Sequence, residues 1–160
     1  MEPYIKFYKG EIGTTKDNFF IQEIMAFSDS RLEHEHAYIQ FVFPNAELSS
    51  MQPGAAPVPF TTEEAQNMLQ CATVMKRVRG MVFKMMGFWG IGTNGAAVWI
   101  MDTHRFNTRV ATTNHNQLRV SRMLKFFRML GWTEYIDNMK ILLSENVSPD
   151  STAMRFWRAI

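Results

Sequence analysis

Asn114-His115-Asn116-Gln117-Leu118-Arg119-Val120-Ser121-Arg122-Met123-Leu124-Lys125-Phe126-Phe127-Arg128-Met129-Leu130-Gly131 is the stretch that decides the fold class. Val120, Met123, Leu124, Phe127 and Leu130 fall within roughly 120° of a helical wheel, the arc that a core-facing helix presents. Thr113 or Asn114 offers a side-chain oxygen to the first free N–H groups, and Gly131 supplies a residue at ease in the left-handed region. A helix marked at both ends and apolar along one face has to bury that face against other elements. A helical domain is the first expectation.

Working outward, Thr133 begins a further helix through Ile136, Ile141 and Leu142, and Pro149-Asp150 starts a last short one that packs Phe156 and Trp157. Upstream, Thr61 with Glu64 makes a capping box that launches a helical stretch through Met68, Leu69, Met75, Val78, Val82 and Met85, broken near Ala72-Thr73 and stopped at Gly87 or Gly90. Residues 91–113 give the weakest signals, a short strand at Ala97 to Met101 or a short helix around Arg105. Nearer the start, Asp17 opens a helix carrying Phe20, Ile21, Ile24 and Phe27. Ser30 and Glu33 form a capping box for a second helix that runs until Pro44 forbids the next turn. Between 44 and 60, Pro44, Pro53, Pro57 and Pro59 interrupt any period, which marks a connection. These signals add up to an all-α fold: one compact domain over 1–160 with about five to seven helices and a Pro-rich loop after the second.

The composition suits that reading. With 46% hydrophobic and 20% charged residues, 160 residues can bury one core. Thirteen Met and thirteen Phe mean either an aromatic, thioether-filled interior or an adaptable Met-rich binding face. A single cysteine, Cys71, excludes an internal disulfide and fits a reducing compartment. The N-terminal residues lack a basic stretch followed by an apolar one, so no secretory signal is expected, and the glycine-interrupted run from Met85 to Met101 is too short for a membrane span. The expected location is intracellular: cytoplasm, nucleus or an organelle interior.

Charge is unevenly placed. Residues 1–64 hold ten acids and four bases, residues 65–133 hold ten bases and only Asp102, and the rest hold three bases and four acids. Complementary faces meeting inside the fold would explain this, as would a solvated basic surface. A functional reading is an acidic partner held by the segment 76–128 through Lys76, Arg77, Arg79, Lys125 and Arg128.

Leu32-Glu33-His34-Glu35-His36-Ala37-Tyr38-Ile39-Gln40-Phe41-Val42-Phe43-Pro44 resembles the motif L-E-H-x-H-x-Y-I-Q-W-L-F-P of the opioid growth factor receptor conserved domain, with Phe41 where the family usually has Trp. Phe7-Tyr8, the Thr61–Glu64 helix start, Met85-Met86-Gly87-Phe88-Trp89-Gly90 (similar to M-L-x-F-Y-G) and His115 to Leu124 (similar to H-N-N-L-R-I-T-R-I-L) follow in order. The resemblance implies a helical domain without enzymatic activity, whose best-known member is a receptor for an enkephalin peptide. It points to a protein- or peptide-binding module. A fixed subunit contacting its neighbours in a large assembly, mitochondrial or viral, is the alternative, and an unknown enzyme the third class.

Taken on their own chemistry, His34 and His36 suggest metal chelation only on a strand. On the predicted helix they diverge by about 200°, so no metal is expected, and no cofactor. His36 is expected in the core beside Leu32, Ile39 and Phe43, with His34, Tyr38 and Gln40 as further polar candidates for binding or a buried network. His115, Asn116, Arg119 and Arg122 make the preferred binding strip: His115, Arg119 and Arg122 lie within about 60° at the border of the apolar face. There an arginine pairs with Glu33 or Glu35 inside the fold, or presents its fork to an outside carboxylate or phosphate. No G-x-S-x-G, P-loop or activated cysteine supports nucleophilic catalysis.

Overall fold

The computed structural model describes residues 2–160, which divide into two compact units, one up to Val82 and the other from Phe83 to Ile160. Among the described residues there are ten α-helices, one π-helical turn and one two-stranded antiparallel sheet. The fold is therefore mostly helical but not all-α, and its helices are shorter and more numerous than five to seven. None is long and apolar enough to cross a membrane.

In the first unit α1 (Pro3–Lys9) comes from a segment with no strong period, yet its ends are well marked. Pro3 sits at the first turn, where a missing N–H costs nothing. At the other end Gly10 takes φ 80°, and the N–H groups of Gly10 and Glu11 donate to Phe7 and Lys6 C=O at 2.9 Å each, the Schellman arrangement. Tyr4, Ile5, Phe7 and Tyr8 of this helix are all buried. Tyr4 packs on Phe41 and Phe60, and Phe7 on Phe41 and Tyr8. The Tyr8 hydroxyl donates to Val42 C=O at 2.7 Å, and burial pushes its pKa well above that of a free tyrosine.

Asp17 does not open a helix. The chain turns through Asn18 (φ 52°), and α2 (Ile21–Met25) starts only after Phe20, whose N–H donates to the Glu23 carboxylate. The second predicted helix is cut in two, α3 (Asp29–His34) and α4 (Ile39–Val42). Ser28, not Ser30, caps α3 by accepting the Arg31 N–H at 3.2 Å. Glu35 then adopts extended backbone (ψ 138°), and the Tyr38 hydroxyl donates to Leu32 C=O at 2.8 Å. That carbonyl would have accepted the N–H of His36 had the helix continued. The break carries His36 to the surface rather than into the core, and His34, the last residue of α3, is exposed as well. The Arg31 guanidinium lies over the Phe27 ring at 4.1 Å and the Phe19 ring at 5.1 Å.

Thr61 caps α5 (Thr62–Leu69) as expected, accepting the Glu64 N–H at 3.0 Å. Glu64 has another use. The residue is 2% exposed, and its carboxylate accepts the N–H groups of Tyr4 (2.9 Å) and Ile5 (3.1 Å), two of the orphan donors at the start of α1. Burial nevertheless raises the Glu64 pKa, an effect the two backbone bonds only partly offset. The folded state thus holds this proton more tightly than the unfolded chain. Glu64's stabilising contribution is fully present below the ordinary glutamate pKa and declines as pH rises from there through the folded value. In denaturation from about pH 4 to 8, the stability of wild type relative to Glu64→Gln is expected to fall with rising pH; a flat or rising difference would contradict this.

A break at Gln70-Cys71 separates α5 from α6 (Ala72–Phe88), close to the predicted Ala72-Thr73. In the second unit the glycine-interrupted run from Met85 to Met101 ends α6 and then forms a hairpin, β1 (Ile91–Asn94) and β2 (Ala97–Ile100), with Ile91 opposite Ile100 and Asn94 opposite Ala97. Its two-residue turn is Gly95-Ala96, with Gly95 first at φ 59°, the position that a type II′ turn gives to glycine. The predicted strand at Ala97 is present, and so is the helix around Arg105, α7 (Thr103–Phe106), capped by Asp102. It passes into a π-helical turn at Asn107–Ala111. The deciding stretch forms α8 (His115–Met129) with Asn114 as its cap, Gly131 at φ 75°, and Val120, Met123, Leu124, Phe127 and Leu130 buried. Then α9 (Thr133–Asn146) and α10 (Thr152–Ala159) pack with α8. In α9, Ile136 and Leu142 are buried but Ile141 is 56% exposed; in α10, Trp157 is buried but Phe156 is not.

Two arginines of the basic middle segment close the end of α6. Arg105 donates to Gly87 C=O (3.2 Å) and Arg109 to Phe88 C=O (2.6 Å), with Arg109 over the Phe88 ring. Positive charge at a helix C-terminus is favourable, so part of the local excess of bases is spent on helix ends. Arg77 likewise donates to Tyr8 C=O, and Arg128 to Ile160 C=O; Lys76 and Lys125 are exposed.

Candidate binding surfaces

The predicted polar strip lies at the start of α8. Asn116 is 1% exposed and accepts the Trp89 indole N–H at 3.2 Å, while its own N–H donates to Asn114 Oδ1 at 2.7 Å. Beside it Gln117 donates to Val110 C=O at 2.8 Å, tying α8 to the π-helical turn. Arg119 is buried, and His115 and Arg122 are half-buried. A partner approaching this strip would meet His115 and Arg122 first. The other candidates belong to the first unit. His34 is exposed, its Nδ1 2.8 Å from Ser30 C=O. Tyr38 is buried on Leu32, and Gln40 is buried with its Oε1 lacking a partner. Among the described residues no three His, Cys, Asp or Glu side chains are grouped to hold a metal ion.

A second surface was not anticipated. Between β2 and α9 runs an open groove of about 540 Å³, lined by Ala97, Val98, Trp99 and Ile100 on one wall and by Asn138, Ile141, Leu142, Glu145 and Asn146 on the other. The helix residues follow i, i+3, i+4, i+7, i+8, one continuous stripe. Two hydrogen bonds hold the hairpin to the helix. Thr93 Oγ1 meets the Tyr135 hydroxyl at 2.6 Å, and Asn138 donates to Ala96 C=O at 2.8 Å. The tyrosine's burial raises its pKa. Trp99 lies across Gly92, where any Cβ would fall 2.4 Å from the indole, and the tryptophan remains 46% exposed. Ile141 also borders a smaller hollow of about 210 Å³ with Lys140, Ser144, Met154, Trp157 and Arg158.

Sequence reasoning missed this groove, although two signals mark it. Gly95-Ala96, glycine first and followed by four β-competent residues, announces a hairpin. Ile141 lies about 140° round the wheel from buried Ile136, which points an apolar side chain outward.

The comparisons agree with the motif. The family described as the opioid growth factor receptor (OGFr) conserved region matches residues 2–154. The opioid growth factor receptor of Mus musculus is 32% identical over 142 residues, covering 82% of this chain and 21% of that protein. The Homo sapiens receptor is 31% identical over 144 residues, covering 81% of this chain and 20% of that protein. The opioid growth factor receptor-like protein 1 of Rattus norvegicus is 28% identical over 138 residues, with 82% of this chain and 29% of that protein covered. The chain thus spans less than a third of the length of these relatives. No solved structure gives a significant match. From the motif at Leu32 to Pro44 and the match over residues 2–154, the chain belongs to the opioid growth factor receptor conserved-region family.

Proposed function

We propose that the chain is a non-enzymatic module that binds a protein or peptide, and that the β2–α9 groove is where it does so. The observation that carries this reading is the groove itself: open to solvent, walled by a strand and a helix, with the apolar side chains of Trp99 and Ile141 exposed. Exposed aromatic and aliphatic side chains in a concave site are the usual anchors of recognition. Glu145 is the one titratable group in the lining, and a lone carboxylate does not furnish an acid and base pair. Relatives named as receptors support the same class of function.

Selection of a random peptide library on the whole chain tests it. Peptides are expected to enrich, and Ile141→Asp, which places a charge on an already exposed position, should weaken them at least tenfold without lowering stability. No enrichment, or enrichment indifferent to Ile141, would overturn the reading.

A further inference from the structure

We infer that the groove takes an extended peptide segment of about four residues by strand addition to the outer edge of β2, with a basic residue of the segment opposite Glu145. This rests on the binding reading above and specifies its partner.

The geometry starts from the hairpin register. A two-residue turn between Asn94 and Ala97 makes that pair exchange hydrogen bonds, and the Met101 N–H donating to Gly90 C=O at 2.8 Å fixes the same phase at the other end. Gly92 and Trp99 then form the intervening bonded pair. Val98 and Ile100 therefore turn their N–H and C=O groups away from β1. Among the described residues no strand pairs with that edge, the sheet having the two strands β1 and β2. An edge of this kind is a template for a further strand.

The groove lies along that edge. Side chains alternate faces in a strand, so Ala97 and Trp99 look one way and Val98 and Ile100 the other. A groove touched by all four must run past the edge, and no β1 residue lines it, so the edge is the outer one. Four strand residues extend about 13 Å; the nine α9 residues from Asn138 to Asn146 extend about 13.5 Å. The two walls match in length, which fits an extended segment of about four residues rather than a helix, whose diameter of about 10 Å would have to enter the groove.

Charge supplies the remaining constraint. Glu145 is the one charged residue in the lining, and the other polar side chains are internally engaged: Asn138 on Ala96 C=O and Asn146 on Leu142 C=O. A Lys or Arg in the segment would complement it, with apolar residues to meet Trp99 and Ile141.

The test uses peptides selected on the intact chain. A scan of single N-methylations along one selected peptide leaves the protein untouched. Strand addition predicts losses of about tenfold or more at alternate positions only, since every second peptide N–H faces β2. Val98→Pro, which deletes an outward N–H and no ladder bond, should weaken the same peptide about tenfold, whereas Val98→Ala keeps it. Selection on Glu145→Lys should replace the basic position by an acidic one. If peptides bind in an Ile141-dependent way but N-methylation costs are uniform or absent, strand addition is overturned while the binding reading stands. Peptides without a basic preference overturn the Glu145 assignment. Failure to obtain any peptide overturns both.

Discussion

Gly90→Ala is expected to destabilise the protein by about 4 kcal/mol, enough to lower the melting temperature by roughly 10 °C. Two independent causes combine at this position. Gly90 has φ 78°, a region that costs an L-residue about 1–2 kcal/mol. A Cβ there would also fall 2.4 Å from Asp102 O and 2.8 Å from Phe106 N, both backbone atoms that cannot rotate aside. Gly90 C=O meanwhile accepts from Met101 and Asp102, so the residue joins α6, the hairpin and the start of α7. Relief of the clash would have to move one of these. Gly131→Ala is the matched control. Its φ is 75°, but nothing lies within 4 Å of the added carbon, so only the backbone cost of about 1 kcal/mol applies. Denaturant titration of both variants checks the pair, and equal losses would show that crowding at Gly90 contributes nothing.

Arg119→Ala is expected to cost about 3 kcal/mol, against about 1 kcal/mol for Arg128→Ala, although each removes one positive charge from α8. Arg119 is 4% exposed. A guanidinium at that depth has its charge met within the fold, and truncation strands those groups and leaves a void. Arg128 is exposed and gives one bond, 2.6 Å to Ile160 C=O, that water can replace. Ile160 lies 32 positions further along the chain, so the wheel of a single helix does not show this bond. Thermal melts of the two variants decide the matter. Equal losses would show that Arg119 is not structural, and the polar strip of α8 would regain its claim as a binding surface.

What could be read from the sequence divides along physical lines. α8 was legible because its stripe, cap and stop agree, each being local to eighteen residues. The family was legible from Leu32 to Pro44, yet the local structure of that same segment was not: a capping box predicted one helix, and Tyr38 taking Leu32 C=O broke it into two. His36 was assigned to the core by helical phase, and the break carried it to the surface. α1 went unread because seven residues carry little periodicity, and the group that satisfies its first N–H donors, Glu64, lies sixty residues away. Glu64 was read as the second half of a local capping box. Of the two candidate surfaces, the α8 strip was named and the groove was not, because a groove is a relation between two elements, and no short window of sequence contains both β2 and α9.

The most direct test of the binding account maps a selected peptide on the isotope-labelled chain by amide chemical shifts. The perturbed amides are expected to cluster at 97–100 and 138–146, those of Val98 and Ile100 most of all. Perturbations centred instead on 115–122, with β2 and α9 unmoved, would contradict it.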